Sequence, residues 1–170
     1  AVTAKQYVLV DYQTGRVLAE QGGDERVPPA SITKVMTSYV VAAERKAGKI
    51  KDGDLVTISE NAWRHGGAVT DGSTSFLELD SQVPLGDLLK GMIIQSGNDA
   101  TMALAEGVGG TAEQFVKMMN DQATAMGLKG SAYKNPEGLT EPGHTTTARD
   151  LAVITAHLQH DFPQYMHYYS

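Results

Sequence analysis

Two short groupings in this 170-residue chain combine side chains able to act on a carbonyl. Ser31-Ile32-Thr33-Lys34 sets a hydroxyl and an amine three residues apart, and on a helix such residues are surface neighbours. A serine hydroxyl is a weak nucleophile until a base takes its proton. A lysine one turn away can be that base if burial or nearby positive charge lowers its pKa. The helix N-terminus beside Ser31 also favours an oxyanion formed there. Ser96-Gly97-Asn98 is the second grouping. Asn98 offers amide donors and an acceptor to a peptide substrate, and Ser96 can pass a proton between a lysine and a leaving group. Each grouping alone also has a plain reading. Serine and asparagine are common cap and loop residues, and a lysine on the polar side of an amphipathic helix is usually solvated. The helical wheel does not decide, since Ser31, Lys34 and Ser38 share the polar side.

The elements that must hold these groups are legible from patterning. Gln6 to Asp11 reads as a strand, Tyr12-Gln13-Thr14-Gly15 as a turn and Arg16 to Glu20 as a returning strand. Gln21 to Pro29 is a loop. A helix is predicted from Ser31 to about Arg45, with Ile32, Val35, Met36, Tyr39, Val40 and Ala43 on its apolar face. Further helices are predicted over Pro84–Ile94, over Asn98–Glu106 capped by Asn98 or Asp99 and ended by Gly107, over Thr111–Met126, and from Thr147 to about His160. The polar stretch Lys51–Gln82 is expected to hold short strands near Leu55–Ile58 and Ser75–Leu79, and Asn135-Pro136-Glu137-Gly138 reads as a turn. One hairpin followed by a run of helices lacks the alternation of a doubly wound fold. It implies an α+β protein whose antiparallel sheet is incomplete in this chain, because two strands alone are marginal in water.

Composition narrows the function classes. A net charge of −6 argues against a nucleic-acid partner. With no cysteine, thiol catalysis, disulfides and thiolate metal sites are excluded. The five histidines show no H-E-x-x-H spacing, so no metal is expected, and His157 and His160 are expected on a helix surface. No run of eighteen apolar residues suggests a membrane helix, and the first residues do not read as an uncleaved signal peptide.

Taken together, the groupings match the order S-x-x-K then S-x-N found in penicillin-binding proteins and class A β-lactamases. The chain resembles low-molecular-mass penicillin-binding proteins of the D-alanyl-D-alanine carboxypeptidase and endopeptidase type. The resemblance runs along nearly the whole chain. It rests on Val8–Gly15, Pro29–Thr37, Gln95–Ala100, Asn135–Leu139 and Gly143–Ala152. It implies a β-lactamase/transpeptidase-like fold with a cleft between sheet edge and helices. It also implies Ser31 as nucleophile, Lys34 as its base, Ser96 as proton relay and Asn98 as substrate-binding residue. The implied partners are a peptidoglycan stem peptide and β-lactams as covalent inhibitors, with no organic cofactor. The implied location is extracytoplasmic, periplasmic in a Gram-negative cell, and some relatives carry a C-terminal membrane anchor.

Two departures qualify the resemblance. The second motif reads Ser-Gly-Asn, not Ser-Asp-Asn, and no E-x-x-L-N stretch supplies a deacylating glutamate; Glu137-Gly138-Leu139-Thr140 does not fit. Both favour a carboxypeptidase inhibited by β-lactams over a β-lactamase. In addition, no K-T-G or K-S-G occurs; Lys129-Gly130-Ser131 is not that pattern. Residues 1–170 are therefore expected to be the N-terminal portion of one penicillin-binding domain, its sheet completed by a further segment or a second chain. The competing reading is a catalytically incomplete scaffold that binds a partner chain. Trp63, Arg64 and His65 are placed either beside the cleft or in packing, His144 as a structural hydrogen-bonding residue, and Tyr165, Met166, Tyr168 and Tyr169 against the absent part.

Overall fold

The computed structural model describes residues 2–66 and 72–169; residues 67–71, within the stretch read as polar and glycine-bearing, lie outside it. Strands β1 (Tyr7–Val10) and β2 (Val17–Gln21) form an antiparallel hairpin with an irregularity at Leu9/Val10. Its turn is built as the composition predicts. Asp11 Oδ1 accepts from the Thr14 amide at 2.8 Å and hydroxyl at 2.7 Å, and Gly15 takes φ +70. A single 3-10 turn, Ala30–Ile32, leads into α1 (Thr33–Lys46). Then come β3 (Leu55–Thr57), α2 (Glu60–His65), β4 (Gln82–Pro84), α3 (Leu85–Gln95), α4 (Asn98–Gly109), α5 (Ala112–Ala125) and α6 (Ala148–Asp161). A last 3-10 turn spans Pro163–Tyr168.

Helix α4 is the centre of the fold. Every residue from Asn98 to Ala105 is buried, including Ala100, Ala103 and Ala105. A helix covered all round lies inside a cluster, and alanines let neighbours approach closely. Helices α1, α2, α3 and α5 pack on it. Met36, Val40 and Val41 of α1, Leu88, Leu89 and Met92 of α3, and Phe115 and Met119 of α5 fill the space between. Helix α6 packs on α1 and on β1, tying the hairpin to the helices. Thr111 and Thr147 cap α5 and α6, accepting from Gln114 N and Asp150 N at 3.1 and 3.0 Å.

This α+β layout agrees with the sequence reading, with local corrections. Ile32 is not on the buried face but 52% exposed, because the first turn is 3-10 and rotates it outward. The strand expected near Leu55–Ile58 forms as β3 and pairs with Gln82–Pro84, whereas no strand forms over Ser75–Leu79. Helix α4 has no side-chain cap and runs through Gly107 to Gly109. Tyr165 is buried in this chain's own core, and Tyr169, 42% exposed, has its Oη 2.7 Å from Ser38 Oγ. The short helix α2 was not anticipated.

Candidate active site

The two motifs sit at the N-terminal ends of two packed helices. Ser31 lies in the 3-10 turn before α1 and is exposed. Ala30, just before it, is held at φ +49, a conformation that costs a non-glycine residue energy and needs surrounding structure to impose it. Gly97-Asn98 opens α4. Ser96 closes α3 at φ +55, the left-handed position where glycine is usual. Both serines are thus presented by strained backbone, and neither hydroxyl makes a hydrogen bond among the described residues.

Lys34 is 6% exposed. Its Nζ donates to Asn98 Oδ1 at 2.9 Å and to the Glu137 carbonyl at 3.1 Å. Burial pulls its pKa down from 10.5 to about 8, against the carboxylate of Glu137, which pulls the other way. Two acceptors match the two N–H groups of a neutral amine and leave its lone pair uncommitted. That is the state a base for the Ser31 hydroxyl requires. Because Asn98 Oδ1 is spent on Lys34, its amide donors are what it has left for a ligand.

The 135–144 segment clamps the turn that carries Ser31. Asn135 Oδ1 accepts from Gly138 N at 2.8 Å and Leu139 N at 3.0 Å, shaping the turn. Gly138, at φ +97, is pressed so close to the Ala30 carbonyl that an added Cβ would lie 1.8 Å from its oxygen. Pro136 O accepts from Thr37 Oγ1 at 2.7 Å. His144 Nδ1 accepts from the Lys134 amide at 2.9 Å, which fixes the proton on Nε2, 2.8 Å from Thr33 Oγ1. Burial lowers the pKa of His144, in keeping with a neutral, structural ring.

Asp99 performs the same service for the second motif. Its Oδ1 accepts from Ser75 N and Ala100 N, both at 2.8 Å, and its Oδ2 from Thr74 Oγ1 at 2.9 Å and Leu77 N at 3.1 Å. The 74–77 segment is thereby bound over the start of α4. This explains the glycine of Ser-Gly-Asn: a Cβ at Gly97 would lie 2.2 Å from Ser75 Oγ.

Of the residues singled out by sequence, the structure joins Lys34 and Asn98 directly and puts Ser31 and Ser96 at the adjoining helix ends. Trp63 is 43% exposed and so is not core packing. Sequence reasoning missed the role of Asp99, taken for a cap, and the involvement of Glu137; His65, placed by sequence either beside the cleft or in packing, lies with Nε2 3.3 Å from Glu137 Oε1. A glutamate beside the turn glycine was the available signal. A concavity of about 710 Å3 lined by Tyr12, Tyr39, Met126 and His157 holds none of the four site residues.

A family model described as D-alanyl-D-alanine carboxypeptidase matches residues 1–170. The chain is 46% identical over 169 residues to the D-alanyl-D-alanine carboxypeptidase DacA of Haemophilus influenzae, covering 99% of this chain and 42% of that protein. It is 47% identical over 165 residues to DacC of Escherichia coli, covering 96% and 41%. The crystal structure of penicillin binding protein 5 from H. influenzae superposes with a TM-score of 0.93 at 46% identity, over 96% of this chain and 47% of that one. The chain spans about two-fifths of the length of the curated relatives it matches.

Proposed function

Because the chain belongs to the D-alanyl-D-alanine carboxypeptidase family, we propose that it carries the acylating half of a serine D-alanyl-D-alanine carboxypeptidase acting on peptidoglycan stem peptides. In this reading the neutral amine of Lys34 takes the proton of Ser31 Oγ as that oxygen bonds to the carbonyl carbon between two D-alanines. Asn98 amide donors hold the peptide. Ser96 relays the proton from Lys34 to the departing amine, so free D-alanine leaves and the acyl group stays on Ser31. Water then releases it. A β-lactam, whose strained amide takes the place of the scissile bond, acylates the same oxygen.

The observation that carries the reading is the clasp of Lys34 Nζ between Asn98 Oδ1 and the Glu137 carbonyl, buried one turn from an exposed serine. We take residues 1–170 as the N-terminal portion of one penicillin-binding domain, with a K-T-G strand supplied by the rest of the protein, and we place its action outside the cytoplasmic membrane. Among the described residues no helix is long and apolar enough to cross a membrane.

Intact-mass spectrometry of the full-length protein after benzylpenicillin tests it. A stoichiometric adduct, lost in Ser31→Ala, is the expected result. No adduct on the full-length protein would sink the reading and leave the scaffold alternative. Release of D-alanine from a free stem pentapeptide, set against cleavage of a cross-linked dimer, separates carboxypeptidase from endopeptidase, which would use the same residues.

A further inference from the structure

Phe76 is exposed and strained at once. It is 86% accessible, more than any other large apolar residue described, and its backbone sits at φ +57. A bulky residue in that left-handed region is an outlier, and such strain persists only where surrounding structure imposes it. Three hydrogen bonds impose it here. Asp99 Oδ1 accepts from Ser75 N at 2.8 Å, Thr74 Oγ1 from Phe76 N at 3.1 Å, and Asp99 Oδ2 from Leu77 N at 3.1 Å. The amides at 75, 76 and 77 are all committed, so the backbone at 76 cannot relax without giving one up.

The same lock fixes where the ring is carried. Ser73 O accepts from Asn98 N at 2.8 Å, and Ser75 Oγ is packed where a Gly97 side chain would stand. Phe76 is therefore mounted on the Ser96–Asp99 stretch, beside two of the residues assigned to the site. Two further apolar side chains are exposed in the flanks of the site residues. Ile32, next to Ser31, is 52% accessible, and Ile94, two positions before Ser96, is 66% accessible. Singly exposed apolar residues need no account. An aromatic ring held out on strained backbone is different: it adds nothing to this chain's own core, and strain of this kind collects at ligand sites.

Resting on the acylation reading above, we infer that Phe76 is a specificity-determining residue whose ring forms an apolar lip of the site and receives the side chain of the acyl group transferred to Ser31. Asn98 has amide donors for the peptide-like part of a ligand but no apolar surface to offer. The Phe76 ring supplies that surface from the same lock. An acyl group with an aryl or long aliphatic side chain covers the ring, and one with a bare amine in that place does not. The loop is already held by its three amides, so it does not have to be ordered when the ligand arrives.

The test uses the full-length protein and two β-lactams that share one reacting ring system. Benzylpenicillin carries a phenylacetyl side chain, and aminopenicillanic acid has a bare amine in its place. The second-order acylation rate constant is measured for each by intact mass, and the readout is their ratio. In Phe76→Ala the preference for benzylpenicillin should fall about 2- to 10-fold, the worth of one aromatic contact. Phe76→Tyr, which keeps the ring, should restore the wild-type ratio. Phe76→Gly removes the ring and the strain together. It should melt no lower than Phe76→Ala and still show the lowered ratio, which separates loss of the contact from loss of the fold. An unchanged ratio in Phe76→Ala and Phe76→Gly overturns the inference even if both rates fall, and leaves the ring as a contact for some other molecule. Failure of the wild type to be acylated by either compound is a different result, and counts against the acylation reading.

Discussion

Lys34 shows how much of the chemistry depends on burial of a single group. Its ordinary pKa of 10.5 falls to about 8 because the folded site removes its ammonium from water. Between those two values the unfolded chain holds a proton that the folded chain has released, so stability rises with pH across that window. Below about 8 the folded site carries a buried charge it disfavours. On the acylation reading proposed above, function has the same dependence: the free base for Ser31 forms as pH rises through about 8. Acylation of the full-length protein by a fluorescent penicillin should therefore climb with pH along a limb centred there. Lys34→Arg keeps the charge and the length but offers no base at any accessible pH. It should lower the acylation rate by about 10²–10⁴-fold, the usual worth of a positioned base, and remove the limb. A limb that persists in Lys34→Arg would assign the proton transfer to another group.

At the scale of elements, the site is held by two irregular segments locked onto two helix ends, and each lock contains a glycine with no room for a side chain. Gly138→Ala would drive a methyl into the Ala30 carbonyl from a φ of +97. The expected cost is about 1–3 kcal/mol from backbone strain alone, with loss of acylation because the turn presenting Ser31 must move. Gly48→Ala is the control. Its φ is +74 but nothing lies within 4 Å, so it should lose stability in urea unfolding and keep its acylation rate. Equal loss of acylation in both variants would show that the clamp does not position the nucleophile. These locks also mark the limit of what the sequence discloses. Ser31, Lys34, Ser96 and Asn98 could be named because helical spacing and motif order are local properties, and the hairpin and five helices could be drawn from periodicity. Ser75–Leu79 alternates like a strand, but its amides at 75 and 77 are taken by the Asp99 carboxylate, a tertiary choice that period alone does not reveal. Helix α2, six residues long, is too short to show a period. Glu137 and His65 are 72 positions apart in sequence, and only the folded chain brings them to 3.3 Å.

Across the described residues a buried helical cluster stands beside an exposed two-stranded hairpin. The core around α4 is closed, and the chain superposes on roughly half of a solved relative. The hairpin is different. All five residues of β2 are exposed, and Leu9, Val17 and Leu18 are 56%, 38% and 54% accessible. An open edge of this kind is a template for another strand, and two strands are marginal without one. We expect the K-T-G segment of the longer protein to extend this sheet and so to supply the second wall of the cleft. Hydrogen exchange checks it directly. In the 170-residue chain the β1–β2 amides should exchange near the rate of local opening while α1 and α4 stay protected. In the full-length protein protection should spread to the hairpin edge, and penicillin labelling of Ser31 should appear with it. Protection of the hairpin in the short chain equal to that in the full-length protein would mean that the sheet is built elsewhere. The open face of β2 would then be a surface for a separate partner and not the seam of one domain.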